Sequence, residues 1–183
     1  MNDEIILIER ARILRDSNAF SSLVKIHQSK IRGFLLRLCK HYDVADDLAQ
    51  ETFLIAFQKL ESFDGSGNFS SWLFKISYNC FLQHLRKSKR NTEVMDEFIR
   101  EYELLQENYD SISTVQLDLE RAMSQLKPGE AAAISLCHTF GLSHGEAAEV
   151  LQSPIGTVKT NIGRGKEKLR KLLNHNNEMS VVS

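Results

Sequence analysis

Thr157, Thr160, Asn161, Arg164 and Lys168 recur within twelve residues near the C-terminus, at spacings that place them on one side of a helix. Hydroxyl, amide and guanidinium groups so arranged can reach base edges in a major groove, while Lys159, Lys166, Arg170 and Lys171 neutralise phosphates. A second cluster has the opposite chemistry. Asp46, Asp47, Gln50 and Glu51, with Leu54 and Phe57, form an acidic face with apolar members, which repels nucleic acid and suits a basic protein surface. A third lies between them: Phe69, Trp72, Phe74, Tyr78 and Phe81 precede the basic run RKSKR at 86–90. Rings beside cations suit unpaired or flipped bases, which stack while charge holds the backbone. Asn79 adds an amide able to read a base edge.

These residues need helices to position them. Two prolines, nine glycines and no sustained apolar–polar alternation argue for an all-α fold. Apolar residues recur from Phe20 through Leu23, Val24, Ile31, Phe34 and Leu35 to Leu38. A second helix is expected from an Asp43 N-cap, with Asp46 three residues later, to Leu60. The loop FDGSGNFSS at 63–71 ends it, and Ser70 or Ser71 can cap a third helix carrying Trp72, Leu73, Ile76 and Cys80. Phe74, Tyr78 and Phe81 fall on a different side of that helix from Trp72, Ile76 and Cys80, so some of these rings are expected to be exposed.

Residues 91–113 hold seven acids and one Arg with sparse apolar residues, and read as a linker. The expected organisation is a module over 1–90, that linker, a second module over 114–173, and a disordered tail over 174–183. In the second module helices are expected over 114–126, 129–140, 143–151 and 154–173. Ser143 with Glu146 forms a capping box, and Ser153 followed by Pro154 opens the last helix, a helix-turn-helix arrangement. Val158, Ile162, Gly165, Leu169 and Leu172 form its buried seam. Gly165 there suits close helix packing.

Charge is distributed unevenly. Against a net charge of −1, residues 1–90 carry 14 basic and 10 acidic groups, 91–152 carry 3 and 12, and 153–183 carry 6 and 2. Two basic regions flanking an acidic middle can hold a polyanion at both ends. Solvated helix faces account for the same counts. Cys39, Cys80 and Cys137 have no partner at metal-ligand spacing and read as buried thiols of a reducing compartment. Six histidines form no triad or ligand signature with them, which argues against an enzyme, a metal site or any cofactor. The opening MNDEIILIER is too short in apolar character for a signal peptide or membrane span, so a cytoplasmic protein without membrane insertion is expected.

DDLAQETF at 46–53, FSSWLFKISYN at 69–79 and the LSHGEAAEVLQSPIGTVKTNIGRGKEKL hairpin, in that order, resemble bacterial extracytoplasmic-function sigma factors over residues 16–173. The resemblance implies a promoter-specificity subunit with no catalytic activity of its own. Its partners would be core RNA polymerase, through the β′ clamp coiled coil and the β flap, promoter DNA, and an anti-sigma factor as a candidate inhibitor. It implies core-binding residues Asp46, Asp47, Gln50, Glu51 and Leu54, with Phe53 in the motif but facing the core. It implies minus-ten contacts by Trp72, Lys75, Tyr78, Asn79, Arg86, Lys87 and Arg90, and minus-thirty-five contacts by Thr157, Lys159, Thr160, Asn161, Arg164 and Lys168. The protein would join the nucleoid during initiation. Two alternatives fit parts of the pattern: a helix-turn-helix regulator whose N-terminal half dimerises or senses a ligand, and a sigma-like mimic that sequesters an anti-sigma factor.

Overall fold

The computed structural model describes residues 3–63, 65, 68–90 and 114–180. The described residues form α-helices and short helical turns without a strand, as the scarcity of turn residues required. The reading of 91–113 as a linker lies outside them.

Helix α1 (Asp3–Ile13) was not anticipated, because only Ile8 and Ala11 turn inward. Its acidic first turn and basic last turn complement the helix dipole. Helix α2 (Ser17–Cys39) starts where Asp16 accepts from the backbone N–H groups of Asn18, at 2.9 Å, and Ala19, at 3.2 Å. It stops at Lys40, whose φ of 60° is left-handed and closes the last turn. Phe20, Leu23, Ile31, Phe34, Leu35 and Leu38 are buried along it, each worth about 1.5–3 kcal/mol of transfer free energy.

Helix α3 (Tyr42–Gln58) begins one residue before the expected cap. His41 caps it, accepting from Val44 N–H through Nδ1, and Asp43 stands inside the first turn, where a carboxylate is favoured by the dipole. Helix α4 (Phe69–Arg90) is likewise capped from outside the serines: Asn68 Oδ1 accepts from Ser70 N–H at 2.9 Å. Thr52 and Cys80 are both buried where α3 packs on α4.

The C-terminal half comprises α5 (Thr114–Ser124), α6 (Pro128–Ile134), α7 (His144–Leu151) and α8 (Ile155–Ser180). The helix expected over 129–140 changes its winding after Ile134, and Ser135–Thr139 form a π turn in which Phe140 N–H donates to Ser135 O at 3.0 Å. Gly141, at φ +75°, reverses the chain. Helix α8 runs to Ser180; 174–180 contain neither Gly nor Pro, and extending a formed helix costs little.

The largest departure concerns the aromatics of α4. Phe74 and Phe81 are each 1% exposed and Tyr78 is half-buried. The expectation that some would be exposed considered one module alone. In the structure α7 packs along α4 and α6 along α2, so the second module covers what the first cannot.

Candidate functional sites

Helices α2 and α3 enclose an open groove of about 790 Å³, lined by Phe20, Val24 and Arg32 on one side and by Gln50, Phe53 and Leu54 on the other. Asp46 stands at its rim. Its carboxylate is paired with the Arg32 guanidinium, by Nε to Oδ1 and by Nη2 to Oδ2 at 3.1 Å, which holds the acid below its ordinary range. Arg32 also lies over the Tyr42 ring, 5.7 Å from its centre. Asp47 and Glu51 are exposed outside the groove lining and carry no ion pair among the described residues. Leu54 is 64% exposed, a large apolar side chain left uncovered at the edge. The structure therefore separates the five predicted residues: Asp46, Gln50 and Leu54 line the groove, and two carboxylates flank it. Phe53 is partly buried and lines the groove, so it shares core and surface. Arg32 had no signal in the sequence, because it meets Asp46 only through the packing of two helices.

On α4, Trp72 and Asn79 stand seven residues apart, and Arg86 another seven, so all three share one stripe. Trp72 is half-buried, its ring 5.4 Å from Phe63 and 5.5 Å from Phe69. Lys75, Arg86 and Lys87 are exposed. Asn79 Oδ1 accepts from Gln152 Nε2 at 3.2 Å, a bond from the other half of the chain. Burial raises the Tyr78 phenol above its ordinary range. The Arg90 side chain lies outside the described residues.

Behind this helix sits a buried imidazole. His27, 2% exposed, meets Glu4 Oε1 through Nε2 at 3.0 Å and Ser70 Oγ through Nδ1 at 3.2 Å. It ties α1, α2 and the start of α4 together.

The hairpin forms as its local signals require. Ser143 Oγ accepts from Glu146 N–H at 3.2 Å and Glu146 Oε2 accepts from Ser143 N–H at 2.8 Å, closing the capping box. Val158 is fully buried and Ile162 is 6% exposed on the α8 seam. Thr157, Lys159, Thr160 and Arg164 face outward. Two predicted residues are placed differently. Asn161 is half-buried, its side-chain amide close over Gly129. Lys168 Nζ holds Glu130 at 2.8 and 3.0 Å. That carboxylate is buried at the N-terminus of α6, where Oε2 also accepts from Lys127 N–H at 3.1 Å. Burial alone would raise its pKa; Lys168 and Lys127 outweigh that and lower it. Glu130 was not anticipated, since its partner stands 38 residues away. No group of His, Cys, Asp and Glu able to hold a metal ion occurs among the described residues, and no helix there is long and apolar enough to cross a membrane.

Comparison with known proteins follows the same division. The family model for sigma-70 region 2 matches residues 23–91, and that for sigma-70 region 4 matches residues 116–169. The chain is 33% identical to the ECF RNA polymerase sigma factor SigW of Bacillus subtilis, over 86% of this chain and 90% of that one. It is 30% identical to the RNA polymerase sigma-H factor of Pseudomonas aeruginosa, over 91% of this chain and 92% of that one. Among solved structures, the sigma factor RpoE in complex with the anti-sigma factor NepR from Bartonella quintana superposes with a TM-score of 0.67 at 28% identity, covering 85% of this chain and 96% of that chain. CnrH in complex with the cytosolic domain of CnrY gives 0.66 at 26% identity, covering 93% and 96%.

Proposed function

Because the chain belongs to the extracytoplasmic-function RNA polymerase sigma factors, we propose that its three surfaces divide the work of promoter-specific initiation. The protein is a non-enzymatic alternative sigma factor that binds core RNA polymerase and directs transcription from particular promoters. What supports the division is one observation: a carboxylate-rimmed apolar groove stands apart from two helices whose exposed faces carry Lys and Arg.

The α2–α3 groove, with Asp46, Gln50 and Leu54 at its edge and Asp47 and Glu51 beside it, receives the β′ clamp coiled coil. Apolar contact at Leu54 supplies adhesion, and the carboxylates steer a basic partner. Trp72, Lys75, Tyr78, Asn79, Arg86, Lys87 and Arg90 act on the minus-ten element, where rings stack on unpaired bases and cations hold the strand. Thr157, Lys159, Thr160 and Arg164 read the minus-thirty-five duplex from the outward face of α8. Asn161 and Lys168 join them only from its margins. Residues 91–113 connect the two modules, the second of which also meets the β flap. An anti-sigma protein is the candidate inhibitor, and the site of action is the nucleoid in the cytoplasm. The regulator reading has no account of the region 2 match over 23–91.

Reconstituted transcription with core polymerase on a library of promoter fragments tests the assignment. Promoter-selective transcripts that depend on this chain are expected. Failure to form a complex with core enzyme refutes it.

A further inference from the structure

We propose that helix α1 is a brace for base capture: Arg12 and the Glu4–His27–Ser70 chain are positioning groups that hold the rings beside Trp72 in the arrangement on which an unpaired base stacks. The proposal rests on the reading of Trp72 as a minus-ten contact.

The platform is a triangle of rings from two separate elements. Phe63 follows the short 3-10 turn Leu60–Ser62, and Phe69 and Trp72 open α4. Phe63 and Phe69 meet edge to face at 5.3 Å, Phe63 lies 5.4 Å from Trp72, and Phe69 stacks on Trp72 at 5.5 Å with 29° between the planes. Both phenylalanines are buried and Trp72 is half-buried, so one ring of the three keeps surface for a partner. Its orientation depends on where the other two are held.

Helix α1 holds both. Arg12 Nη1 donates to the Phe63 carbonyl oxygen at 2.8 Å, a part-buried, charge-assisted bond across 51 residues of chain. Just past the helix, Arg15 Nη2 donates to Glu61 in the turn before Phe63. At the other end His27 Nε2 donates to Glu4 Oε1 at 3.0 Å, and Nδ1 accepts from the Ser70 hydroxyl at 3.2 Å, next to Phe69 in the chain. A carboxylate only accepts, so the imidazole proton sits on Nε2 and leaves Nδ1 bare for the hydroxyl. The His27 ring also stands edge-on to Phe69 at 5.4 Å. Glu4 and Arg12 are eight residues apart on α1, close to two turns and about 12 Å along the axis. One rod therefore sets the spacing between the two ends of the platform.

Burial gives α1 little other purpose. It leaves Ile5, Ile6 and Ile13 exposed and turns only Ile8 and Ala11 fully inward, so its directed polar bonds are its main link to the 3-10 turn and α4. It also precedes residues 23–91, the part that the region 2 family model matches. Ordering a stacking ring before the base arrives removes that ordering cost from binding.

The test uses holoenzyme assembled from core polymerase and the full-length parent, Arg12→Met, Ser70→Ala or Arg10→Met. The last is the control, because it removes the Arg10–Asp16 bond on the same helix without touching the platform. The probe is a fluorescein-labelled single strand carrying the minus-ten segment of a promoter that the parent transcribes, read by anisotropy. Trp72 is the chain's one tryptophan, so its emission in the free protein reports the platform directly. Thermal unfolding verifies that each variant is folded, and core affinity is measured alongside. Arg12→Met and Ser70→Ala are expected to bind core as the parent does, to shift Trp72 emission to longer wavelength, and to hold the strand roughly three- to tenfold more weakly, the scale of one lost hydrogen bond. Arg10→Met is expected to keep parental emission and strand affinity. Unchanged strand affinity or unchanged emission in the first two, or an equal loss in the control, overturns the brace. A parent that initiates while the brace variants match it leaves the functional reading standing and removes only the brace; a parent that never initiates removes that reading and the brace with it.

Discussion

Gly165 of α8 lies so close to Ile134 of α6 that a β-carbon at 165 would overlap Ile134 Cδ1, while only touching Glu130 Cβ at 3.5 Å. Gly163, two residues earlier, has open space in the same position. Gly165→Ala should therefore force the flexible tip of Ile134 aside and destabilise the protein by about 1–3 kcal/mol. Gly163→Ala should stabilise it by about 0.5–1 kcal/mol through helix propensity. Thermal unfolding of both variants decides: shifts of the same sign would refute the packing argument.

Lys168 and Glu130 make the second prediction. Lys168→Met leaves the Glu130 carboxylate buried at 6% side-chain exposure without its cation, at a cost of about 1–3 kcal/mol at neutral pH. The folded-state pKa of Glu130 is lowered, so the stabilisation is present above the unfolded glutamate value and is lost as pH falls through the lower folded value. The gap between parent and variant in urea melts should close on acidification. A gap independent of pH would show that the pair is not its cause.

His27 makes the third. Burial pushes its imidazole below the ordinary value of 6.5, Glu4 pulls it back, and Lys30 adds to the fall. Folding then favours the neutral ring, and its contribution is present above 6.5 and lost as pH drops below it. Between neutral pH and about pH 5, still above the ordinary carboxylate values, the parent should lose more stability than His27→Gln. Parallel denaturation midpoints would contradict this.

Polymerase binding makes the fourth. Asp47→Lys and Glu51→Lys should each weaken the complex with core enzyme by roughly tenfold or more through charge reversal against a basic surface. Their melting temperatures should stay unchanged, because neither carboxylate has an internal ion pair among the described residues. Asp46→Lys should lose both affinity and stability, since it sets a lysine against Arg32. Equilibrium binding of labelled chain to core polymerase measures all three, and retention of full affinity by the first two would move the interface elsewhere.

Duplex contact makes the fifth. Arg164→Ala should weaken binding to minus-thirty-five DNA by about 1–3 kcal/mol and leave polymerase affinity intact, while Lys159→Ala should lower the salt slope of DNA binding by about one unit. Lys168→Ala should act chiefly on stability. Titrations of promoter fragments at several salt concentrations distinguish the three.

Apart from α1, the sequence by itself determined the helices and the hairpin, because those signals act over three to seven residues. Ser143 and Glu146 cap α7 as their spacing requires, and Val158, Ile162 and Gly165 form the seam of α8. Helix ends were less legible: His41 and Asn68 took the caps assigned to Asp43 and the serines, since neighbouring polar side chains compete for the same backbone donors. Only the tertiary structure decided which exposed-looking groups are engaged. Arg32 neutralises Asp46, Glu130 holds Lys168, and Phe140 covers Phe74, because these partners meet through helix packing across 14, 38 and 66 residues of chain. Periodicity assigns a side chain to a face of its own helix, and the element that comes to lie against that face depends on how all the buried surfaces fit together.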